Sequence, residues 1–142
     1  MTTAHVTPFA GSWYPARRAE LETLLDTLFD ASLQRTGDDL LPHPLAFVVP
    51  HAGLVYSGTV AAAAYRNLQA ARPRRVFILG FAHSGGRPGV SIPDVTAFQT
   101  PLGEVEVDPA AVRALAASVP FAMTPEGRVC DHSVEIQLPL LQ

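Results

Sequence analysis

Two histidines follow apolar runs of the sequence at positions where a metal site could form. His51 comes directly after Pro50 and the apolar run at residues 45–49, and His83 comes shortly after the apolar run at residues 76–79. If these runs are neighbouring parallel strands, their carboxyl ends lie at one edge of a sheet and the two imidazoles converge there. Neutral imidazole is a common ligand of Zn, Fe and Cu. Spacing alone fits two hydrogen-bonded loop histidines equally well, so both interpretations stay open at this point.

A third histidine, His132, lies beside Asp131 and three residues before Glu135. On a helix, His132 and Glu135 share one face. Such a pair can supply two metal ligands, or a base and its orienting carboxylate, and we name both as candidate catalytic residues. A capping cluster at the start of a helix explains the same residues, and from the residues alone capping is favoured.

Aromatic and hydroxyl side chains beside glycine turns are the candidate substrate-binding residues. Tyr56 and Ser57 precede Gly58 at the start of a predicted helix, whose free N–H groups attract anions. Trp13 follows a glycine turn and either covers the first helix or lines a pocket. We expect three further residues to stand outside the site: His5 and His43 as solvated side chains, and Cys130 as a small core residue.

Composition excludes several classes of protein. The 142 residues carry a net charge of -3, all ten basic residues are arginines, and there is no basic patch for nucleic acid. Lysine Schiff-base chemistry is excluded, and neither a phosphate-binding glycine loop nor a G-x-S-x-G motif is present. A single cysteine cannot form an internal disulfide, and no apolar run approaches the ~20 residues of a membrane span. We therefore expect a cytoplasmic protein that binds neither nucleic acid nor a membrane.

The elements that must position these residues follow an α/β pattern. An apolar stripe between Pro15 and Gly37 predicts an amphipathic helix. The runs at residues 45–49 and 76–79 are short and wholly apolar, as in strands buried on both faces. A helix capped by Ser57 and ending near residue 72 lies between them, which completes a right-handed βαβ unit.

The second half of the sequence has shorter elements. Alternation around Pro101-Leu102-Gly103 predicts a β-hairpin, and Pro109 opens another helix. Residues 131–142 are ambiguous, because Val134, Ile136, Leu138 and Leu140 alternate as in a strand, yet Asp131 suits a helix cap. The predicted fold is a mostly parallel sheet flanked by helices, with a β-hairpin. The chain stops at Gln142 inside an apolar element, so we expect residues 1–142 to be one domain, the N-terminal half of a longer one.

At these same residues the sequence resembles the MEMO family, also known as protein B of the AmmeMemoRadiSam system. The resemblance covers the whole chain in order, and its stretches are Ala10-Gly11-Ser12-Trp13-Tyr14-Pro15, Pro50-His51-Ala52-Gly53 with Tyr56-Ser57-Gly58, Ile78-Leu79-Gly80 leading to His83, Thr100-Pro101-Leu102-Gly103, and Asp131-His132-Ser133-Val134-Glu135-Ile136-Gln137-Leu138-Pro139.

The resemblance implies a fold similar to the class III extradiol dioxygenases (LigB-like) and a metal pocket that includes His51 and His83. Iron is the metal expected first, with copper or zinc next. Residues 131–138 should be helical. Family members are about twice as long, and their second half adds a cysteine ligand and an Asp-x-x-His segment that have no counterpart here. One departure is Phe81-Ala82, where the family usually has proline and a polar residue.

The sequence thus predicts a metal-binding protein with a pocket like that of a non-haem-iron dioxygenase and with redox or oxygen-dependent chemistry. The expected partners are a small-molecule or peptide ligand and AmmeMemoRadiSam components. A second hypothesis is a non-catalytic adaptor that binds a peptide or protein in the same cleft. A third is an incomplete fragment without activity, whose exposed sheet edge makes it a homo-oligomer.

Overall fold

A computed structural model describes residues 4–83, 89–118, 121–124 (backbone only) and 131–142. Cys130 lies outside the described residues, so its predicted place in the core is not addressed. No helix among the described ranges is both long enough and apolar enough to cross a bilayer.

The first helix, α1 (Arg18–Thr36), confirms the predicted amphipathic stripe. Leu21, Leu25 and Leu28 are buried along one face. Gly37 ends the helix at a positive φ of 67°, which glycine adopts without steric cost, and its N–H donates to the Leu33 carbonyl. Residues at the end of α1 therefore determine where the helix stops.

The second helix, α2 (Leu54–Ala71), begins three residues before the predicted start at Ser57. The capping prediction is wrong because the Ser57 hydroxyl lies inside the first turn and donates to the Ala52 carbonyl over 2.8 Å. The helix packs closely on α1, and a Cβ added at Gly58 would lie 2.5 Å from Leu28 Cδ1. The predicted inner face, which includes Ala61, Ala64 and Tyr65, is buried as expected.

Two small sheets form from short strands. In the first, β1 (His5–Val6) pairs in parallel with β3 (Ala97–Thr100), which pairs antiparallel with β4 (Gly103–Glu106). The β3–β4 pair is the predicted hairpin. In the second sheet, β2 (Val90–Pro93) and β5 (Phe121–Thr124) are parallel. Helix α3 (Pro109–Ser118) lies between β4 and β5 in sequence, where a helix was predicted.

The prediction of two buried strands is wrong. Residues 45–49 and 76–79 lie outside the strands of the described chain, and Leu45, Val48 and Leu79 are almost fully exposed. An apolar run becomes a strand only where a neighbour completes its hydrogen-bond ladder. In the part of the chain that the structure describes, no strand pairs with either run, so the predicted βαβ unit does not form.

The ambiguous C-terminal segment is helical. It forms α4 (His132–Glu135) and, after a turn, α5 (Leu138–Leu141), with Pro139 in the first turn of α5 where its missing N–H costs nothing. Ile136 and Leu140 join the main core with residues of α1 and α2. This segment lies between the core and the loops that carry the candidate site.

Candidate metal centre

Three imidazoles converge from three separate parts of the sequence. The ring centroids of His51 and His83 are 5.3 Å apart, those of His83 and His132 4.3 Å, and those of His51 and His132 5.7 Å. One nitrogen from each ring can be chosen so that all three lie within 4.8 Å of one another. The structure thus brings together the predicted pair of histidines and adds the third.

His83 is held by the residues that begin α4. The Asp131 carboxylate accepts from the His83 backbone N–H and lies 2.9 Å from the ring nitrogen Nδ1. Ser133 Oγ accepts from the N–H of Phe81 and donates to its carbonyl. Gly80 packs so closely that an added Cβ would lie 2.5 Å from Ser133 Oγ. The loop before His83 is therefore fixed to α4 by side chains instead of by a sheet.

The loop of His51 is fixed by the turn between α4 and α5. Gln137 Nε2 donates to the Pro50 carbonyl over 3.1 Å, and Gln137 Oε1 accepts from the Tyr65 hydroxyl over 2.9 Å. The N–H of Leu54 donates to the Trp13 carbonyl at the start of α2. One short segment, residues 131–137, therefore anchors both histidine loops.

Trp13 lies against the His132 ring at a centroid distance of 4.2 Å and an interplanar angle of 31°. Both residues line an open cavity of about 470 Å³ together with Ser12, His51, Ala52, Gly53 and Tyr56. Trp13 and Tyr56, two of the predicted substrate-binding residues, therefore border the histidines. The third, Ser57, follows Tyr56 in sequence but does not line the cavity, and its hydroxyl donates to the Ala52 carbonyl.

The charges around the cluster favour neutral imidazole beside a fixed anion. Burial raises the pKa of Asp131, but hydrogen bonds from the Ser133 and His83 N–H groups outweigh it, and the pKa falls well below its usual range. Burial lowers the pKa of His132, and the neighbouring His83 and His51 lower it further against the pull of Asp131. The lowered pKa favours the neutral form of His132, the form that a ligand or a base requires.

Glu135, the predicted catalytic partner of His132, is placed in the core. Its side chain is fully buried, and its Oε1 lies 3.1 Å from Nε2 of His5. Burial, with the charge of Asp131, raises the pKa of Glu135 to about 8. His5 is itself buried, so its predicted solvation is wrong, because β1 pairs with β3 and carries it inside. His43 is exposed, as predicted.

The donor set suits a divalent transition metal. Nitrogens that share one tetrahedral ion with bonds of about 2.0–2.1 Å lie about 3.3 Å apart, so small side-chain rotations would close the cluster on an ion. An imidazole ligand usually donates its second N–H to a carboxylate, and Asp131 stands in that position against His83. The residues present therefore fit a metal held by His51, His83 and His132.

Sequence reasoning missed the supporting roles of Ser133 and Gln137 and the contact of Asp131 with His83. A pattern in the sequence could have indicated them. Residues 133–138 alternate polar and apolar side chains, and the polar ones cannot all face water if the segment is also anchored in the core. Ser133 and Gln137 are both buried and both hydrogen-bonded to the loops.

The fold and the cluster define an α/β protein with three convergent histidines at the junction of α4 with two loops. Residues 6–142 match the family model described as Memo-like protein. The chain is 39% identical over 140 residues to a MEMO1 family protein of Aeropyrum pernix, covering 94% of this chain and 50% of that protein.

Two further relatives give the same picture. A MEMO1 family protein of Aquifex aeolicus is 36% identical, covering 94% of this chain and 47% of its own length. A protein memo-1 homolog of Caenorhabditis elegans is 35% identical, covering 93% of this chain and 37% of its own length. The chain belongs to the Memo-like protein family, and it spans about half the length or less of these relatives.

Proposed function

We propose that the chain binds a divalent transition metal through His51, His83 and His132 and that the bound metal serves redox or oxygen-dependent chemistry. The observation that carries the proposal is the convergence of the three imidazoles within 4.8 Å, with Asp131 behind one of them. Iron is the metal expected first, with copper and zinc as competitors. A pocket like that of the class III extradiol dioxygenases and a cytoplasmic location belong to the same proposal.

Each residue of the site has a separate task. The three histidines would hold the metal, and Fe(II) or Cu bound there would supply redox chemistry with oxygen. Trp13 covers one face of His132 and keeps water from that side of the ring. The cavity beside the histidines is open, so a small molecule can approach them past Tyr56.

The test is metal content after purification without a histidine tag and reconstitution with Fe(II), Cu(II) or Zn(II). We expect about one equivalent of metal in the wild-type chain. Removal of a ligand in His51→Ala, His83→Ala or His132→Ala should lower affinity at least tenfold. His43→Ala is the matched control, because His43 is an exposed histidine of a loop. Equal metal content in all variants would contradict the proposal.

A second candidate function is a non-catalytic adaptor that binds a peptide or protein in the same cleft. The specific observation is the 86% exposure of Tyr56 at the rim of an open cavity lined by Trp13. Exposed aromatic side chains at a cavity are typical of recognition surfaces. A turnover screen with catechols under Fe(II) and oxygen separates the candidates, since reproducible ring cleavage requires the catalytic function. A peptide ligand and AmmeMemoRadiSam components remain the proposed partners.

A further inference from the structure

Asp131 contacts the two histidines that flank it in space and also the backbone of α4. Its Oδ1 accepts from the Ser133 N–H over 2.9 Å and lies 2.9 Å from His83 Nδ1, while its Oδ2 accepts from the His83 N–H over 2.9 Å. The His132 Nδ1 lies 3.4 Å from the same Oδ1. One carboxylate therefore links the His83 loop to the helix that carries His132.

The contact with His83 fixes where the proton of that ring must be. An ionised carboxylate has lone pairs but no hydrogen to donate. At 2.9 Å, the His83 Nδ1 must therefore be the donor, and the ring carries its hydrogen on Nδ1. In the neutral ring, the other nitrogen, Nε2, then keeps its lone pair available for a metal.

We propose that Asp131 is a positioning residue that holds His83 in the tautomer with the hydrogen on Nδ1 and turns its Nε2 toward the three-histidine cluster. This inference deepens the proposed function and rests on it for the metal. The orientation and tautomer of His83 are inferred from the hydrogen bonds alone. The capping of α4 by the same carboxylate ties the orientation of His83 to the position of His132.

The variant that separates the two tasks of Asp131 is Asp131→Ser. Serine is among the favoured residues at a helix N-cap, so the capping of α4 should survive. Its side chain is too short to reach the His83 ring, so the contact with Nδ1 is lost. Ser133→Ala is the control, because it removes both hydrogen bonds to Phe81 and leaves the Asp131 contact with the ring.

The readout is the ring-nitrogen NMR spectrum of chain labelled with 15N-histidine, recorded without metal near pH 8. We expect His83 of the wild type and of Ser133→Ala to carry its hydrogen on Nδ1. In Asp131→Ser, His83 should shift toward the Nε2 tautomer, and Zn(II) affinity should fall about 10- to 100-fold. His83→Ala assigns the signal.

Two results would overturn the proposal: a wild-type His83 protonated on Nε2, or an Asp131→Ser chain with unchanged tautomer and unchanged Zn(II) affinity. The first needs no variant, so it decides even if Asp131→Ser fails to fold. A wild type that binds none of Fe(II), Cu(II) and Zn(II), combined with a tautomer shift in Asp131→Ser, supports the positioning role and refutes the proposed function alone.

Discussion

Trp13 is the residue whose environment should report most directly on the cluster. It is the chain's one tryptophan, and its ring lies 4.2 Å from that of His132. The sequence left open whether this side chain covers the first helix or lines a pocket. Its place against His132 and in the cavity wall puts an intrinsic fluorophore beside the candidate metal ligands.

We predict that Cu(II) quenches the fluorescence of Trp13 by at least half at saturation, because a paramagnetic ion bound at the histidines lies within a few ångströms of the indole. Zn(II), with a filled d shell, should bind without comparable quenching. His132→Ala should weaken the quenching and His43→Ala should not. Equal quenching in these two variants would show that the copper binds elsewhere.

The raised pKa of Glu135 leads us to predict that the stability of the chain depends on pH. Its pKa is raised from 4.5 to about 8 in the folded chain, chiefly by burial, so the folded state holds more protons than the unfolded chain between these values. Its contribution to stability is therefore present at low pH and is lost as pH rises toward 8, by up to a few kcal/mol.

Glu135→Gln, which cannot ionise, should lose less stability than the wild type between about pH 5 and pH 8. Urea unfolding at several pH values measures this difference. Glu104→Gln, a change at an exposed carboxylate, should follow the wild type. Parallel curves for Glu135→Gln and the wild type would contradict the assignment of a buried, mostly protonated carboxyl group.

At the scale of elements, Gly80 sets how closely the His83 loop approaches α4. A Cβ at this position would lie 2.5 Å from both Ser133 Oγ and Val134 Cγ2. If the space is filled, the Ser133 and Val134 side chains must shift, and the backbone N of Val134, 3.3 Å from the added Cβ, must give slightly. Ser133 and Val134 directly follow Asp131 and His132, so we expect such a shift to disturb the position of these two residues as well.

We predict that Gly80→Ala lowers the free energy of unfolding by about 1–3 kcal/mol, the usual cost of overpacking, and weakens metal binding as well. Val134→Ala in the same chain removes one of the two clashing atoms and should restore part of the stability. Chemical denaturation of the two single variants and the double variant measures this. A Gly80→Ala chain as stable as the wild type would refute the close packing.

The elements also show what the sequence could predict. Helix α1 and the β3–β4 hairpin were predictable because apolar spacing and turn residues such as Gly37 and Gly103 are local. The strands at residues 45–49 and 76–79 were not, because a strand depends on a neighbour elsewhere in the chain. The helical form of the last segment came from the family resemblance, since its own periodicity fits both states.

The meeting of His51 and His83 was predicted for a reason that the structure does not support. His51 and His83 were expected to meet because two parallel strands end together, and they do lie 5.3 Å apart. Their meeting depends instead on Asp131, Ser133 and Gln137, whose hydrogen bonds span 48 to 87 residues of sequence. Contacts of that range leave no periodic pattern. The catalytic role assigned to Glu135 stays a prediction, with that side chain against His5.

At the scale of the whole molecule, several large apolar side chains face outward. Val48 and Leu79 are almost fully exposed, and Phe77 and Phe81 are more than half exposed. Exposed apolar surface of this kind marks association sites. The chain spans about half the length of the Aeropyrum and Aquifex relatives, and we expect copies of it to associate through some of these exposed side chains.

We predict that sedimentation at tens of micromolar protein gives a mass above the 15.2 kDa of one chain. The double variant Val48→Glu with Leu79→Glu should sediment as a monomer, because burying two carboxylates in an interface is unfavourable. Val60→Glu changes an exposed residue of α2 and should leave the mass unchanged. A wild-type chain that is monomeric at every concentration would contradict this account.

X-ray absorption of the Zn(II)-loaded chain tests the central claim most directly, because it counts the imidazoles bound to the ion. The account predicts three imidazole nitrogens at about 2.0–2.1 Å in the wild type and in His43→Ala, and two in His132→Ala. A wild-type spectrum with no imidazole scattering, or one left unchanged by His51→Ala, His83→Ala and His132→Ala, would contradict it.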